Sequence, residues 1–316
     1  MIRSIDYAVN YSGPAEYVAS HAVTALLLLT LAGCLLSAAT WHLIQKAGPG
    51  LWAGAARLWT RVAGDQALDR MQSARLIGPA FKGTLSTARF LGLYAICSFV
   101  VALVAVGAFL ELAEAVAVSN ALPSFDHALS AALGRHLSEG VLRTLSVLTH
   151  LGDPGVEGAV IAAMALTLFL RRRYLLAWAC IIATAGGGTL TLMLKQHFAR
   201  ARPLHDHAFA TVVGYSFPSG HASGSLLVYG LLGYLVVRHT RAKWHIAVVI
   251  VTVATIVLVG GSRVLLQVHF LSDVLAGWTS AAAWLALCIA GLETVRRRDE
   301  AARLSAPAPV RGSRQE

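Results

Sequence analysis

The chain has 316 residues, 56% of them hydrophobic and only 13% charged, with a mean hydropathy of +0.63. Several apolar runs approach the ~20 residues needed to cross a bilayer, which excludes a soluble domain and predicts an all-α, polytopic transmembrane bundle. The formal net charge of +10 does not indicate nucleic acid, because the basic residues sit in short clusters at the ends of apolar runs and form no phosphate-reading stripe.

In chain order, seven spans are expected. Residues 22–44, 90–110, 174–194 and 274–292 carry no Asp, Glu, Lys or Arg and have the right length. Residues 155–170, 219–237 and 246–262 are shorter and polar-ended, as tolerated where a helix terminus is buried in protein or lines an aqueous cavity. The first run is too long for the hydrophobic region of a cleavable leader and is expected to stay in the mature chain. Between the first two spans, residues 48–71 place Trp52, Ala55, Ala56, Trp59 and Val62 on one helical face, which reads as an interfacial amphipathic helix. Cys34, Cys97, Cys180 and Cys288 lie inside apolar runs without paired spacing, so they read as small buried hydrophobes rather than a disulfide frame or a zinc site. The tail from Ala301, rich in Ala, Pro, Arg and Ser, is expected to be disordered.

If the seven spans alternate and the C-terminus is cytoplasmic, nineteen of the 26 Lys and Arg fall on the inner side. That is a strong positive-inside bias. Three of the remaining cations, Lys195, Arg202 and Arg263, belong to three polar clusters on the opposite side.

The first cluster is KQHFARARP, with Lys195 and Arg202 seven residues apart, a spacing at which two cations share one helical face; Pro203 predicts the helix end. Read alone, this pair is also explained as cations snorkelling at a membrane edge. The second is SFPSGHASG, where Ser219 and Gly220 lead His221 into an apolar run. A helix N-terminus there offers unpaired N–H groups to an oxyanion, or only a capped helix beside an interfacial histidine. The third is SRVLLQVHFLSD. His269 and Asp273, four apart, stack on a helix so that the carboxylate accepts a hydrogen bond from Nδ1–H and leaves Nε2 with a free lone pair, next to Arg263. Such ionisable groups at a bilayer edge ordinarily serve function. His205-Asp206-His207 reads as a solvated loop triplet rather than a metal site, with a substrate-side contact as the alternative.

Together the patterns K-x6-R-P (Lys195 to Pro203), P-S-G-H (Pro218 to His221) and S-R-x5-H-x3-D (Ser262 to Asp273) resemble the three-part signature of the type-2 phosphatidic acid phosphatase superfamily, which includes glucose-6-phosphatase and the vanadium haloperoxidases. The resemblance covers residues 90–294 and implies a six-helix phosphatase core there. To this the chain adds one N-terminal span within residues 1–89 and a basic, disordered cytoplasmic tail at 295–316.

The resemblance also implies roles. His269 would attack phosphorus to give a phosphohistidine, Asp273 would orient it, and His221 would protonate the leaving oxygen and then activate water. Lys195, Arg202, Ser219, Gly220 and Arg263 would hold the phosphoryl oxygens, with no metal and no cofactor. The expected protein is an integral-membrane phosphatase for a lipid phosphate or diphosphate, of the undecaprenyl pyrophosphate, phosphatidylglycerophosphate or phosphatidic acid type. It is expected in a bacterial inner membrane with its active site outside the cytoplasm. The alternatives are a phosphotransferase passing the group to a lipid or sugar hydroxyl, and a non-catalytic transport or scaffold protein.

Overall fold

The computed structural model describes residues 11–63, 81–204, 207–210 and 212–305, of which 47–49, 51–53, 55–63, 81–96 and 295–305 are described essentially by their backbone alone. All secondary structure among these residues is helical: α1 (Ser12–Ser20), α2 (Ala22–Ala63), α3 (Phe81–Ala117), α4 (Ala121–His136), α5 (Glu139–Thr149), α6 (Pro154–Leu170), α7 (Tyr174–Phe198), α8 (Gly220–His239), α9 (His245–Leu265) and α10 (Leu271–Ser305). Short 3₁₀ turns lie at His150–Gly152 and Ala242–Trp244.

Among the described residues, seven stretches are long and apolar enough to cross a bilayer: Ala22–Lys46, Cys97–Ala117, Glu139–Leu170, Tyr174–Phe198, Gly220–His239, Ala242–Leu265 and Leu271–Thr294. The chain is an all-α, polytopic membrane bundle. Only helices satisfy their backbone hydrogen bonds within one segment in lipid, so uncharged runs of this length have no other stable form.

The structure moves several expected boundaries. The helix that carries the second span, α3, runs Phe81–Ala117 and contains residues 90–110, while the third span begins at Glu139, where α5 and α6 are joined by a 3₁₀ turn. The segment 48–71 is not a separate helix, since α2 continues through it to Ala63; residues 64–71 lie outside the described ones. Residues 295–305, expected in a disordered tail, continue α10, as their Ala, Arg, Glu and Leu content favours. His205 and Asp206 lie outside the described residues. Helix α7 ends at Phe198, four residues before Arg202, because Ala199 turns left-handed at φ 44° and donates its N–H to the Lys195 carbonyl at 3.0 Å. Lys195 and Arg202 therefore do not share a helical face.

The chain divides into two compact units, Met1–His42 with Val101–Ala286, and Leu43–Val100 with Leu287–Glu316. The second comprises the end of α2, the start of α3 and the end of α10. The first holds every candidate site residue. Its core joins Ala15 and Ala19 of α1, Leu129 and Leu133 of α4, Leu142 of α5 and Leu266 beyond α9. Glu16 of α1 is paired with Arg135 at 2.7 Å and His136 at 3.0 Å on α4, and the Arg135 hydrogen bond holds its carboxyl below the usual range.

Candidate active site

The turn between α9 and α10 places the two residues at the centre. Gln267 adopts φ 52°, and the N–H groups of Val268 and His269 both reach back to the Arg263 carbonyl at 3.2 Å. Phe270 precedes the first helical residue, and Asp273, in the first turn, accepts from its N–H at 2.8 Å, which is the return half of a capping box. His269 thus lies before the helix rather than on it. The cap aims the carboxylate back, so that Asp273 Oδ2 lies 3.4 Å from His269 Nδ1.

That gap is filled by a residue the motifs do not name. The Ser216 hydroxyl donates to Asp273 Oδ2 in a short hydrogen bond and lies 3.4 Å from His269 Nδ1. On the other ring nitrogen, Arg202 Nη1 lies 3.0 Å from Nε2. Arginine can only donate, so Nε2 is the acceptor and Nδ1 carries the proton. Burial is complete enough (2% exposed) to hold the imidazole well below its ordinary range, at about 3; Asp273 opposes this and the charges of Arg202 and Lys195 add to it. His269 is neutral with its lone pair on Nε2.

The cations gather around it. Arg202 is fixed by the carbonyls of Gly214 (2.8 Å), Val268 (2.8 Å) and Tyr215 (3.0 Å). Lys195, at the end of α7, donates to Tyr215 O at 2.7 Å. Buried Arg263 donates through Nη1 to Thr149 Oγ1 at 2.9 Å, while its Nε and Nη2 are buried without a partner. None of the three forms an ion pair among the described residues. Arg200 does: it bridges Asp273 and Asp126. Asp126 also accepts from Ser272, and burial pushes its carboxyl above the usual range against those partners.

The second histidine enters from α8. Ser219 caps this helix, its Oγ accepting from Ala222 N at 3.5 Å, and its own N–H donates to the Asp273 carbonyl at 2.9 Å. Gly220 brings the helix end beside Lys195: a Cβ there would lie 3.8 Å from Lys195 Cε. His221 Nε2 pairs with Asp153 Oδ1 at 2.9 Å, and Asp153 Oδ2 with His150 Nδ1 at 2.6 Å.

Lys195, Arg202, Ser219, Gly220, His221, Arg263, His269 and Asp273 thus converge at one end of the bundle. Ser216, Arg200, Asp126 and Asp153 join them without having been named by the motifs. In ARARP the sequence offers two arginines and no rule for telling which of them pairs with the buried carboxylates. Asp153, before Pro154, looks like a helix start and stands 68 residues from His221.

Residues 175–297 match the family model of the PAP2 superfamily. Phosphatidylglycerophosphatase B of Bacillus subtilis (strain 168) is 34% identical over 179 residues, covering 54% of this chain and 84% of that protein. The chain belongs to the PAP2 superfamily. A solved transmembrane PAP2 type phosphatidylglycerolphosphate phosphatase from Bacillus subtilis is similar at 28% identity, with a TM-score of 0.58 over 62% of this chain and 97% of the other. As a PAP2 member with seven apolar spans, the chain is a phosphatase and an integral membrane protein.

Proposed function

We propose that this PAP2 protein hydrolyses lipid phosphates through a phosphohistidine on His269, without a metal ion. One observation carries the reading: buried Arg263 and half-buried Lys195 and Arg202 have carbonyl, hydroxyl or imidazole partners but no carboxylate, and two Arg263 nitrogens have none at all. Buried charges are ordinarily paired, so the set calls for a polyanion. A phosphoryl group at Nε2 would take over the Arg202 hydrogen bond and accept from Lys195, Arg263, Ser219 and the Gly220 amide. The same donors suit the spread charge of phosphoryl transfer and repel a divalent cation.

In the first step His269 Nε2 bonds to phosphorus as the bond to the lipid oxygen breaks, and that oxygen takes a proton from His221. In the second, water gives a proton to His221 and attacks phosphorus, releasing phosphate and neutral His269. Asp273 and Ser216 hold Nδ1, and Asp153 holds His221. The named relatives favour phosphatidylglycerophosphate over undecaprenyl pyrophosphate or phosphatidic acid. The bias of basic residues supports a site on the extracytoplasmic face of an inner membrane.

The purified protein in detergent should release phosphate from phosphatidylglycerophosphate in excess EDTA and show an acid-labile, base-stable label after a brief pulse. His269→Ala should lose both, and wild-type-like release from it would overturn the assignment. For the face, Leu204→Cys in a cysteine-free variant should react with an impermeant maleimide on intact cells; reaction only after lysis would invert the orientation.

A further inference from the structure

Beneath His221 a cavity of about 380 Å³ descends between α6, α7, α8 and α10, lined at its mouth by Lys195 and His221 and further down by Leu227 and Trp284. Its polar lining groups are almost all satisfied within the protein. The hydroxyls of Thr184, Thr191, Ser223 and Ser280 bond carbonyls of their own helices, and the Trp284 indole donates to Ala183 O at 2.7 Å. Glu157 is the exception, with Oε1 buried and unpartnered. Its carboxyl packs against α8 at Gly224, where a Cβ would lie 2.3 Å from Oε2 and push the carboxyl aside.

Asp153, the N-cap residue of α6, precedes Glu157 by about one turn, and His221 and Gly224 are about one turn apart on α8. The carboxylate paired with His221 and the unpartnered one therefore occupy successive layers, separated by ~5.4 Å. If His221 protonates the leaving oxygen, the carbon next to that oxygen points down the cavity toward Glu157. A hydroxyl on the following carbon spans the interval with one hydrogen bond of ~2.8 Å. A carboxyl offers that hydroxyl an acceptor oxygen in either protonation state.

We propose that Glu157 is a specificity-determining residue that accepts a hydrogen bond from a free hydroxyl vicinal to the scissile phosphate ester. This rests on the phosphatase reading and narrows it. Favoured substrates are phosphomonoester lipids whose leaving alcohol keeps that hydroxyl. A lipid diphosphate would instead set an anionic phosphate beside Glu157, with no cation lining the cavity below Lys195.

The test compares kcat/KM for lysophosphatidic acid, which keeps a free hydroxyl at that position, with its 2-deoxy analogue, in detergent micelles. Wild type should prefer the hydroxyl form by about tenfold or more, the loss typical of an unmade hydrogen bond to a charged or buried group. Glu157→Leu should bring the ratio near one, while Glu157→Gln, which keeps an acceptor, should retain most of it. Gly224→Ala, which displaces the carboxyl without removing it, should lower the ratio too and serves if Glu157→Leu does not fold. Equal hydrolysis of the two lipids by wild type, or an unchanged ratio in Glu157→Leu, overturns the inference alone. Release of phosphate from neither lipid, nor from phosphatidylglycerophosphate, defeats the phosphatase reading as well.

Discussion

Arg200 Nη1 donates to Asp273 Oδ1 at 2.7 Å while its Nη2 donates to Asp126 Oδ2 at 2.9 Å, and its guanidinium lies 4.3 Å from the centre of the Phe270 ring. One side chain thus neutralises two fully buried carboxylates and leaves Asp273 Oδ2 to the His269 side. Two residues on, Arg202 faces His269 Nε2. The two arginines of ARARP divide by partner, one toward carboxylates and one toward the His269 imidazole.

Removing Arg200 leaves two buried carboxylates without their cation. Arg200→Met should destabilise the protein by about 3–5 kcal/mol, read as thermal unfolding in detergent. Arg200→Lys keeps the charge but not the planar fork, so one contact survives. In that variant kcat should fall by about 10²-fold as Asp273 shifts, with KM little changed. An unchanged kcat in Arg200→Lys would show that Arg200 does not position the aspartate.

The buried state of His269 has a pH consequence with a definite sign. Its folded value of about 3 lies below the ordinary 6.5, so the unfolded chain takes up the proton first as pH falls. The contribution of His269 to stability is complete above 6.5 and is lost below it, by up to about 1.4 kcal/mol per pH unit. Stability should therefore fall less steeply between pH 7 and 5 in His269→Gln than in wild type. Ring resonances assigned to His269 should show no titration over that range, and a midpoint near 6.5 would contradict the burial argument.

His221 and Asp153 are separated from His269 by the kind of leaving group. A lipid monophosphate expels a poorly acidic alcohol and needs a proton, whereas a diphosphate expels a phosphate ester that is already a stable anion. His221→Gln should lose of order 10²- to 10⁴-fold in kcat/KM on phosphatidic acid and noticeably less on undecaprenyl pyrophosphate. Asp153→Asn should follow the same order with a smaller loss, since it acts only through the ring it holds. Equal losses on both lipids would mean that His221 binds phosphate rather than delivering the proton.

Gly277 sets the spacing between α10 and the capped start of α8. A Cβ there would lie 2.7 Å from the Ser219 carbonyl and 3.3 Å from Ser223 N, both backbone atoms. Gly277→Ala should cost about 1–3 kcal/mol as overpacking, despite the better helix propensity of alanine. Because the displaced backbone carries Ser219 and Gly220, phosphate affinity should weaken in the same variant. A more stable protein with unaltered KM would show that the two helices separate freely.

The membrane class, the seven spans and the three polar clusters were legible in the chain because each is local. Apolar run length reports on the bilayer, and residues such as His269 and Asp273 announce their pairing by a spacing of four. Where the local rule was only a tendency it misled. Lys195 and Arg202 meet across a loop that begins at Ala199, and Asp273 reaches His269 through a helix cap rather than along a helical face. The tertiary structure alone decided which groups complete the site. Ser216 meets Asp273 from 57 residues away, Asp153 meets His221 from 68, and Asp126 meets Ser272 from 146. It also set Glu157, an unremarkable acid near the start of a span, against a glycine on another helix and over a cavity. Periodicity along one helix says which face a residue shares, but what faces it depends on how the helices pack, and no spacing in the sequence encodes that.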